Sequence, residues 1–161
     1  MIAYALLPVP DILITGDGHH VAITGLVPEL VTLDTGEGQG RFAQDALSEA
    51  VGTAGATRAL ETMPGTRCGH DFCAIALDRA RERAVLLIAR SRRRLDETAL
   101  ARACAQSDIV IAARALPAAC APRRLRIDQA VLDAQGGMTI DLARGRIDSV
   151  RSVANLPSLW H

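Results

Sequence analysis

The sequence predicts an α/β fold in which a mixed β-sheet sandwich is flanked by helices. The strongest indication is a strand–helix–strand unit between residues 84 and 113. Short apolar runs separated by Gly, Pro and Asp turns recur along the rest of the chain and are typical of further strands. Only 2% of the residues are aromatic, so the core must be built from Ala, Val, Leu and Ile.

The strand–helix–strand unit starts with the continuous apolar run 85–89, which is typical of a buried strand. After the loop 90–94, Asp96 offers a side-chain oxygen to the free backbone N–H groups of a helix. The apolar run 109–111 is the second strand. The short links predict parallel strands with a right-handed crossover. The loop after the first strand then lies at the carboxyl edge of the sheet, where ligands usually bind.

The chain before this unit predicts four strands and two helices. The strands are expected at 11–15, 19–24, 30–33 and 74–77, and the helices at 41–51 and 55–63. The first two strands form a hairpin, because the turn Gly16-Asp17-Gly18 between them suits a positive φ. The glycine-rich loop 34–40 has neither a Walker nor a Gly-x-Gly-x-x-Gly pattern, which favours an ordinary turn over a phosphate loop.

The chain after this unit predicts a helix capped by Asp128 and a closing hairpin. The strands of that hairpin are expected at 138–142 and 146–153. We therefore place one α/β domain at residues 11–153 and a tail at 154–161. No apolar run reaches the length of a complete membrane span.

The zero net charge hides a strong asymmetry, and all 18 basic residues are arginines. Residues 1–78 hold three Arg against ten acidic residues, whereas residues 79–126 hold twelve Arg against four, a net +8. Guanidinium groups match the geometry of phosphate, so the basic stretch predicts an anion-binding face. The alternative is that the arginines reflect codon usage and pair with acids of the first half.

The four histidines form no metal-binding or catalytic motif. His19 and His20 are adjacent on a predicted strand, so they point to opposite faces and cannot bind one ion together. The sequence has no His-x-His or His-Glu-x-x-His spacing, and no Gly-x-Ser-x-Gly elbow for a serine nucleophile. We therefore predict no catalytic residue, no metal ligand and no cofactor. Asp17, Asp34 and Asp141 lie at or near predicted strand ends; a cation site is the alternative there, and we expect ordinary capping or turn roles because acids at turns are usually caps.

The four cysteines fall into two pairs along the chain. Cys68 and Cys73 face each other across a four-residue loop, and a helix packed on its own strand brings Cys104 towards Cys120. We expect a disulfide at each pair, which indicates an oxidising compartment. Free buried thiols and a four-cysteine zinc site are the alternatives, because spacing alone does not choose among the possible pairings.

Six segments, in order along the chain, resemble one known family. They are DILITGDGHHVAI, ELVTLDTGEG, RCGHDFC, AVLLIARSRRRLD, SDIVIAARALPAAC and GGMTIDLARGRI. The series resembles the C-terminal extramembrane region of ComEC-type competence proteins, which are inner-membrane channels that admit single-stranded DNA during natural transformation. The resemblance implies a reduced metallo-β-lactamase-like fold, and it implies that residues 1–10 follow directly on a membrane helix.

The sequence departs from that family at the metal site. In the family, a strand that ends in Asp-Thr-Gly is followed by a His-x-His-x-Asp-His motif. Here Asp34-Thr35-Gly36 is present, but residues 37–66 contain no His. The later metal positions fall near Ala89-Arg90 and Ala113-Arg114, so arginine stands where the fold would need ligands. The resemblance therefore implies a metal-free relative of a nuclease-like domain.

The resemblance leads us to expect a non-catalytic accessory domain of a DNA-uptake channel, on the periplasmic side of the inner membrane. Its expected partners are single-stranded DNA and the membrane-channel portion of the same polypeptide. The alternatives are a metal-dependent phosphodiesterase with unrecognised ligands and a structural or oligomerisation module. Two arginine clusters are the candidate DNA-phosphate contacts, and both are expected at one sheet edge because each follows a predicted strand. They comprise Arg90, Arg92, Arg93, Arg94, Arg123, Arg124 and Arg126.

Overall fold

The computed structural model describes residues 9–35, 40–52, 57–79, 81–91 and 95–151. Within these ranges the strands are β1 (Ile12–Ile14), β2 (His20–Ile23), β3 (Leu30–Asp34), β4 (Thr57–Ala59), β5 (Arg67–Cys68), β6 (Phe72–Arg79), β7 (Glu82–Ala89), β8 (Ile109–Ile111), β9 (Leu125–Ile127), β10 (Met138–Asp141) and β11 (Arg146–Ser149). The helices are α1 (Gly40–Val51), α2 (Glu97–Ala105) and α3 (Gln129–Gln135), with a 3₁₀ turn at Leu60–Thr62. None of these helices is long and apolar enough to cross a membrane. The predicted tail and most of the leading segment lie outside the described ranges.

The strands form two mixed sheets, so the predicted mixed α/β class is confirmed. Sheet A has the order β11-β10-β1-β2-β3-β4, and sheet B has the order β5-β6-β7-β8-β9. Parallel pairs are β3 with β4 in sheet A, and β7 with β8 and β8 with β9 in sheet B. Sheet B comes from the continuous stretch 67–127, whereas sheet A is completed by the C-terminal hairpin, whose β10 pairs with β1.

The largest buried cluster contains aliphatic side chains from both sheets, which therefore pack face to face. Sheet A contributes Ile12, Ile14, Val31 and Leu33, and sheet B contributes Ile75, Leu77, Leu86 and Ile88. Alternate residues of the same strands point outward because side chains alternate along a strand. On sheet A these outward residues pack against Leu47 and Val51 of α1, and on sheet B they pack against Leu100 and Cys104 of α2. The layers are therefore helix, sheet, sheet, helix.

The predicted strand–helix–strand unit is present as β7, α2 and β8. The two strands are parallel, with Leu87 opposite Val110. Asp96 caps α2 as expected, because its carboxylate accepts a hydrogen bond from the backbone N–H of Ala99 at 3.2 Å. This unit places the loop after β7 at the carboxyl edge of sheet B.

The helix expected at 55–63 is wrong over the described part of that range. Residues Thr57–Ala59 instead form β4, which pairs with β3 so that Thr57 lies opposite Leu30, and only Leu60–Thr62 is helical. The backbone of β3 offers β4 a ladder of hydrogen bonds, and this tertiary pairing outweighs a local helical pattern. Leu60 is then buried against the inter-sheet core.

The strand β9 was not expected, because its pattern Leu-Arg-Ile is short and lies among arginines. β9 is parallel to β8, with Val110 opposite Arg126. The backbone N–H of Arg124 donates to the carbonyl oxygen of Asp108 at 2.9 Å, so pairing begins just before the strand. The arginines at 123 and 124 therefore precede a strand instead of following one.

The four cysteines form the two disulfides expected from the sequence. Cys68 and Cys73 occupy facing positions of β5 and β6, with their Cα atoms 4.0 Å apart. Cys104 of α2 is bonded to Cys120 in the loop after β8, with Cα atoms 5.2 Å apart. No cysteine of the chain is left free, so the free-thiol and zinc alternatives are excluded.

An ion pair joins the two sheets at the edge where β1 and β7 begin. The Nε of Arg79, at the end of β6, lies 2.9 Å from Oδ1 of Asp11, just before β1. The other oxygen of Asp11 accepts a hydrogen bond from the backbone N–H of Leu142 at 2.7 Å, and Arg79 also donates to the carbonyl oxygen of Thr24. The side chains of Arg79 and Asp11 are only 17% and 13% exposed, so each needs the other as a partner.

Candidate functional site

A pocket of about 260 Å³ lies at the edge of the sandwich where β3, β7 and β8 end. We call it the edge pocket. The described residues that line it are His19, Thr35, Ala89, Arg90, Ser91, Ala113 and Arg114. His19 and Thr35 flank strands of sheet A, and the others lie at or after the ends of β7 and β8 in sheet B, so the pocket exists only where the two sheets meet.

Strand directions explain why residues distant in sequence meet in the edge pocket. Because β2 and β3 are antiparallel, His19 before β2 lies beside Thr35 after β3, and the N–H of Thr35 donates to the carbonyl oxygen of His19 at 2.8 Å. Because β7 and β8 are parallel, Arg90 and Arg114, which follow them, emerge at one edge. The packing of the two sheets then brings both sets together.

The edge pocket is rich in hydrogen-bond donors, and none of the described residues that line it is acidic. Arg90 is held in place, because its guanidinium donates to the carbonyl oxygen of Gly69 at 3.0 Å and lies 3.3 Å from the carboxylate of Glu61. The hydroxyl of Ser91 donates to Asp71 at 2.6 Å. Arg114 is half-buried beside them. This arrangement favours a small anion through its two arginines, since guanidinium groups bind phosphate oxygens.

Two acidic residues, Asp17 and Asp34, contact the hairpin that carries His19. His20 is buried, with its Nδ1 2.6 Å from Oδ1 of Asp34, while His19 lines the pocket, so the two histidines diverge as predicted. Asp17 accepts hydrogen bonds from the hydroxyl of Thr15 and the N–H of His19. Burial opposes ionisation of Asp17, but these hydrogen bonds and the neighbouring histidines hold its pKa below the usual 3.8. The turn is therefore stabilised by an ionised carboxylate.

The described arginines of the two clusters lie at opposite edges of sheet B, so for these residues the expectation of one shared edge is wrong. Arg90 follows β7 at the carboxyl edge, whereas Arg123 and Arg124 precede β9 at the amino edge. The physical reason is that β9 runs parallel to β8 and β7. Residues that precede β9 therefore lie at the amino edge of these strands, whereas residues that follow β7 lie at their carboxyl edge. The residues 92–94 lie outside the described part of the chain.

Arg123, Arg124 and Arg126, which we call the amino-edge cluster, each form an ion pair with a carboxylate of the same domain. The pairs are Arg123–Asp108 at 3.7 Å, Arg124–Glu82 at 3.1 Å and Arg126–Asp128 at 3.9 Å. Arg126 also donates to two carbonyl oxygens of the loop between β8 and β9, which it holds in place. Much of the positive charge of this cluster is thus balanced by carboxylates of the same chain. These carboxylates lie after residue 78, and not in the acidic first half where the alternative had placed them.

Metal-ligating side chains are not gathered anywhere in the described ranges: no three or more His, Cys, Asp or Glu residues there are placed to hold an ion. The three acids considered for a cation make local contacts instead. Asp17 stabilises its turn, Asp34 pairs with His20, and Asp141 accepts a hydrogen bond from the N–H of Arg144 at 3.2 Å. The donor set of the edge pocket thus fits an anion better than a cation.

Sequence reasoning missed His19, Thr35 and Ser91 as residues of one site. Arg114 was noted only because the family that the chain resembles has a metal ligand near that position. The available signal was their position in the chain, because each of these residues lies near a strand end at the same edge of the sandwich.

Comparison of this chain with protein-family models, with curated proteins and with solved structures found no match.

Proposed function

We propose that this chain is a non-catalytic accessory domain of a ComEC-type DNA-uptake channel, and that it holds phosphates of single-stranded DNA in the edge pocket. The observation that carries the proposal is that Arg90 and Arg114 line one pocket together with His19 and two hydroxyl side chains. Arginine binds phosphate through paired, charge-assisted hydrogen bonds, which are the strong kind. Such contacts recognise the backbone and not the base sequence.

The layer order supports a metallo-β-lactamase-like fold, because a helix covers the outer face of each sheet and the pocket lies where both sheets end. Arg90 and Arg114 lie near the positions at which the family that this chain resembles has metal ligands. Two guanidinium groups repel a metal cation and attract a phosphate. This substitution supports binding of a phosphodiester without its hydrolysis.

Binding through the edge pocket is expected to be weak, with a Kd of about 10⁻⁴–10⁻⁶ M, and to weaken steeply with added salt. Glu61 lowers the affinity further, because it already faces the guanidinium of Arg90 at 3.3 Å. The variant Glu61→Gln should therefore bind about two- to fivefold more tightly, since it removes one partly exposed ion pair. Unchanged or weaker binding by this variant would mean that Arg90 does not contact the DNA phosphates.

The decisive experiment measures fluorescence anisotropy of a labelled oligo-dT strand for two variants of equal net charge, at about 0.1 M salt, where charges are screened over about 10 Å. Arg90→Gln/Arg114→Gln should bind at least about tenfold more weakly, because it removes charge-assisted hydrogen bonds. The control Arg123→Gln/Arg124→Gln removes the same charge from the other end of an eight-residue strand. That distance, about 25 Å, exceeds the screening length of about 10 Å, so the control should bind nearly as wild type.

Three outcomes would contradict the proposal. Equal weakening of both variants would mean diffuse attraction without a pocket, and wild-type affinity in both would remove the DNA role. Cleavage of the oligonucleotide that EDTA abolishes, with stoichiometric zinc or manganese in the protein, would assign a metal-dependent phosphodiesterase instead.

A further inference from the structure

The outer face of sheet B carries a second and larger cavity, of about 700 Å³. Its floor is formed by facing residues of β6 and β7, with Ala74 opposite Leu87 and Ala76 opposite Val85. These side chains point away from the sandwich core, because the alternate residues of β6 are the ones buried between the sheets. We call this cavity the outer groove.

The outer groove stays open because α2 covers only part of sheet B. Leu100 and Cys104 of α2 pack with Leu87 and Ala89, whereas Ala103 reaches only the wall of the groove. Ala74 has a very small side chain, so the floor beside the helix is low. The result is a channel along β6 with an apolar floor and polar walls, which include Arg67, Asp71 and Gln106.

The outer groove and the edge pocket meet where β6 begins and β7 ends. Phe72 and Ala89 are register partners, and Phe72 lines the groove while Ala89 lines the pocket. The backbone N–H of Arg90 donates to the carbonyl oxygen of Asp71 at 2.7 Å, so one rigid segment forms the boundary of both cavities. A chain molecule bound in the edge pocket can therefore extend into the groove.

We propose that the outer groove receives the bases of a single nucleic-acid strand whose phosphates are held in the edge pocket; this inference rests on the proposed function. The groove combines an apolar floor and the half-exposed ring of Phe72 with two exposed arginines, Arg67 and Arg83, which outnumber its one described carboxylate, Asp71. A single strand has apolar ring faces and an anionic backbone, so it complements both features. A duplex buries its ring faces and cannot use the groove.

The test compares a short oligo-dT strand with an oligo-dT·oligo-dA duplex of the same length, by anisotropy at low salt. The wild type should prefer the single strand. Phe72→Leu keeps an apolar side chain but removes the ring, so it should weaken single-strand binding at least about fivefold and leave duplex binding unchanged. Ala76→Leu raises the floor without touching the ring and should act in the same direction. Ile147→Ala removes an exposed apolar side chain of β11 and serves as the control.

The possible failures are distinguishable. If the wild type binds neither form of DNA, the proposed function and this inference are both overturned. If binding depends on Arg90 and Arg114 but is equal for strand and duplex, and is insensitive to Phe72→Leu and Ala76→Leu, only the groove assignment is overturned. If sedimentation shows that Phe72→Leu abolishes self-association while DNA binding is unchanged, the groove accepts a second copy of the chain instead.

Discussion

Removing the Cys104–Cys120 disulfide should destabilise the fold more than removing Cys68–Cys73. The first bond closes a sequence separation of 16 residues, and the second closes a separation of 5. In the chain-entropy model a cross-link restricts the unfolded chain, and the restriction grows with the length of the closed loop. The comparison therefore tests a difference between two bonds of the same kind in one protein.

The magnitude follows from these two separations. Loop closure gives about 3 kcal/mol for Cys104–Cys120 and about 2 kcal/mol for Cys68–Cys73 at 25 °C. Burial adds to the difference, because Cys104 and Cys120 are both buried and pack with Leu100 and Leu116, whereas in the other pair only Cys73 is buried. Replacement of the two buried sulfurs by alanine leaves a cavity, which costs further stability.

The assay is urea unfolding of Cys104→Ala/Cys120→Ala and of Cys68→Ala/Cys73→Ala, followed by circular dichroism. For a chain of this size, a loss of 3 kcal/mol corresponds to a decrease in Tm of about 6–12 °C. Wild type treated with a reductant should be less stable than the oxidised protein but more stable than the variant that lacks all four cysteines, because it loses the cross-links and keeps the buried sulfurs. If the two double variants lose equal stability, or if the Cys68/Cys73 variant loses more, the loop-entropy argument is wrong.

Three further changes test local features of the fold. Asp11→Asn should cost about 3 kcal/mol in urea unfolding, because it leaves the buried guanidinium of Arg79 without its counter-charge; a cost below about 1 kcal/mol would contradict this. Gly18→Ala should lower Tm more than Gly52→Ala. Both glycines have a φ of +75°, but only at Gly18 would an added Cβ lie 3.0 Å from a backbone carbon. Equal decreases in Tm would refute the steric argument. The lowered pKa of Asp17 favours the folded state above the unfolded value, and this contribution is lost as the pH falls through the folded-state pKa. Asp17→Asn should therefore reduce the dependence of Tm on pH below about 4, and an unchanged profile would count against the hydrogen bonds to this carboxylate.

The strand–helix–strand unit was predictable because its signals are local. The apolar run that becomes β7 and the capping side chain of Asp96 each suffice to mark an element. β4 and β9 were not predictable, because each has an arginine at the centre of three residues and so lacks the continuous apolar run that marks the equally short β1 and β8. Such strands have too few residues to show an alternating pattern.

The candidate site was only partly predictable for the same reason. Arg90 was identified because it follows a buried strand, and the cysteine pairs were identified because they are close in sequence. The misplacement of Arg123 and Arg124 follows directly from the missed β9, since one unrecognised parallel strand reverses the edge at which they lie. His19 and Thr35 join the pocket only when sheet A packs on sheet B, and no local pattern specifies that contact.

The way sheet B is inserted within sheet A has a consequence for synthesis of the chain. Asp11 and Leu142 are hydrogen-bonded although 131 residues separate them, and β1 needs β10 as its second neighbour. A ribosome adds about 5–20 residues per second, so one edge of β1 waits on the order of ten seconds for its partner. During that time all of sheet B emerges and can fold, because its strands are contiguous in sequence. An unpaired strand edge invites association with other chains, so the interval before the last hairpin forms is the time at which this protein is most exposed to aggregation.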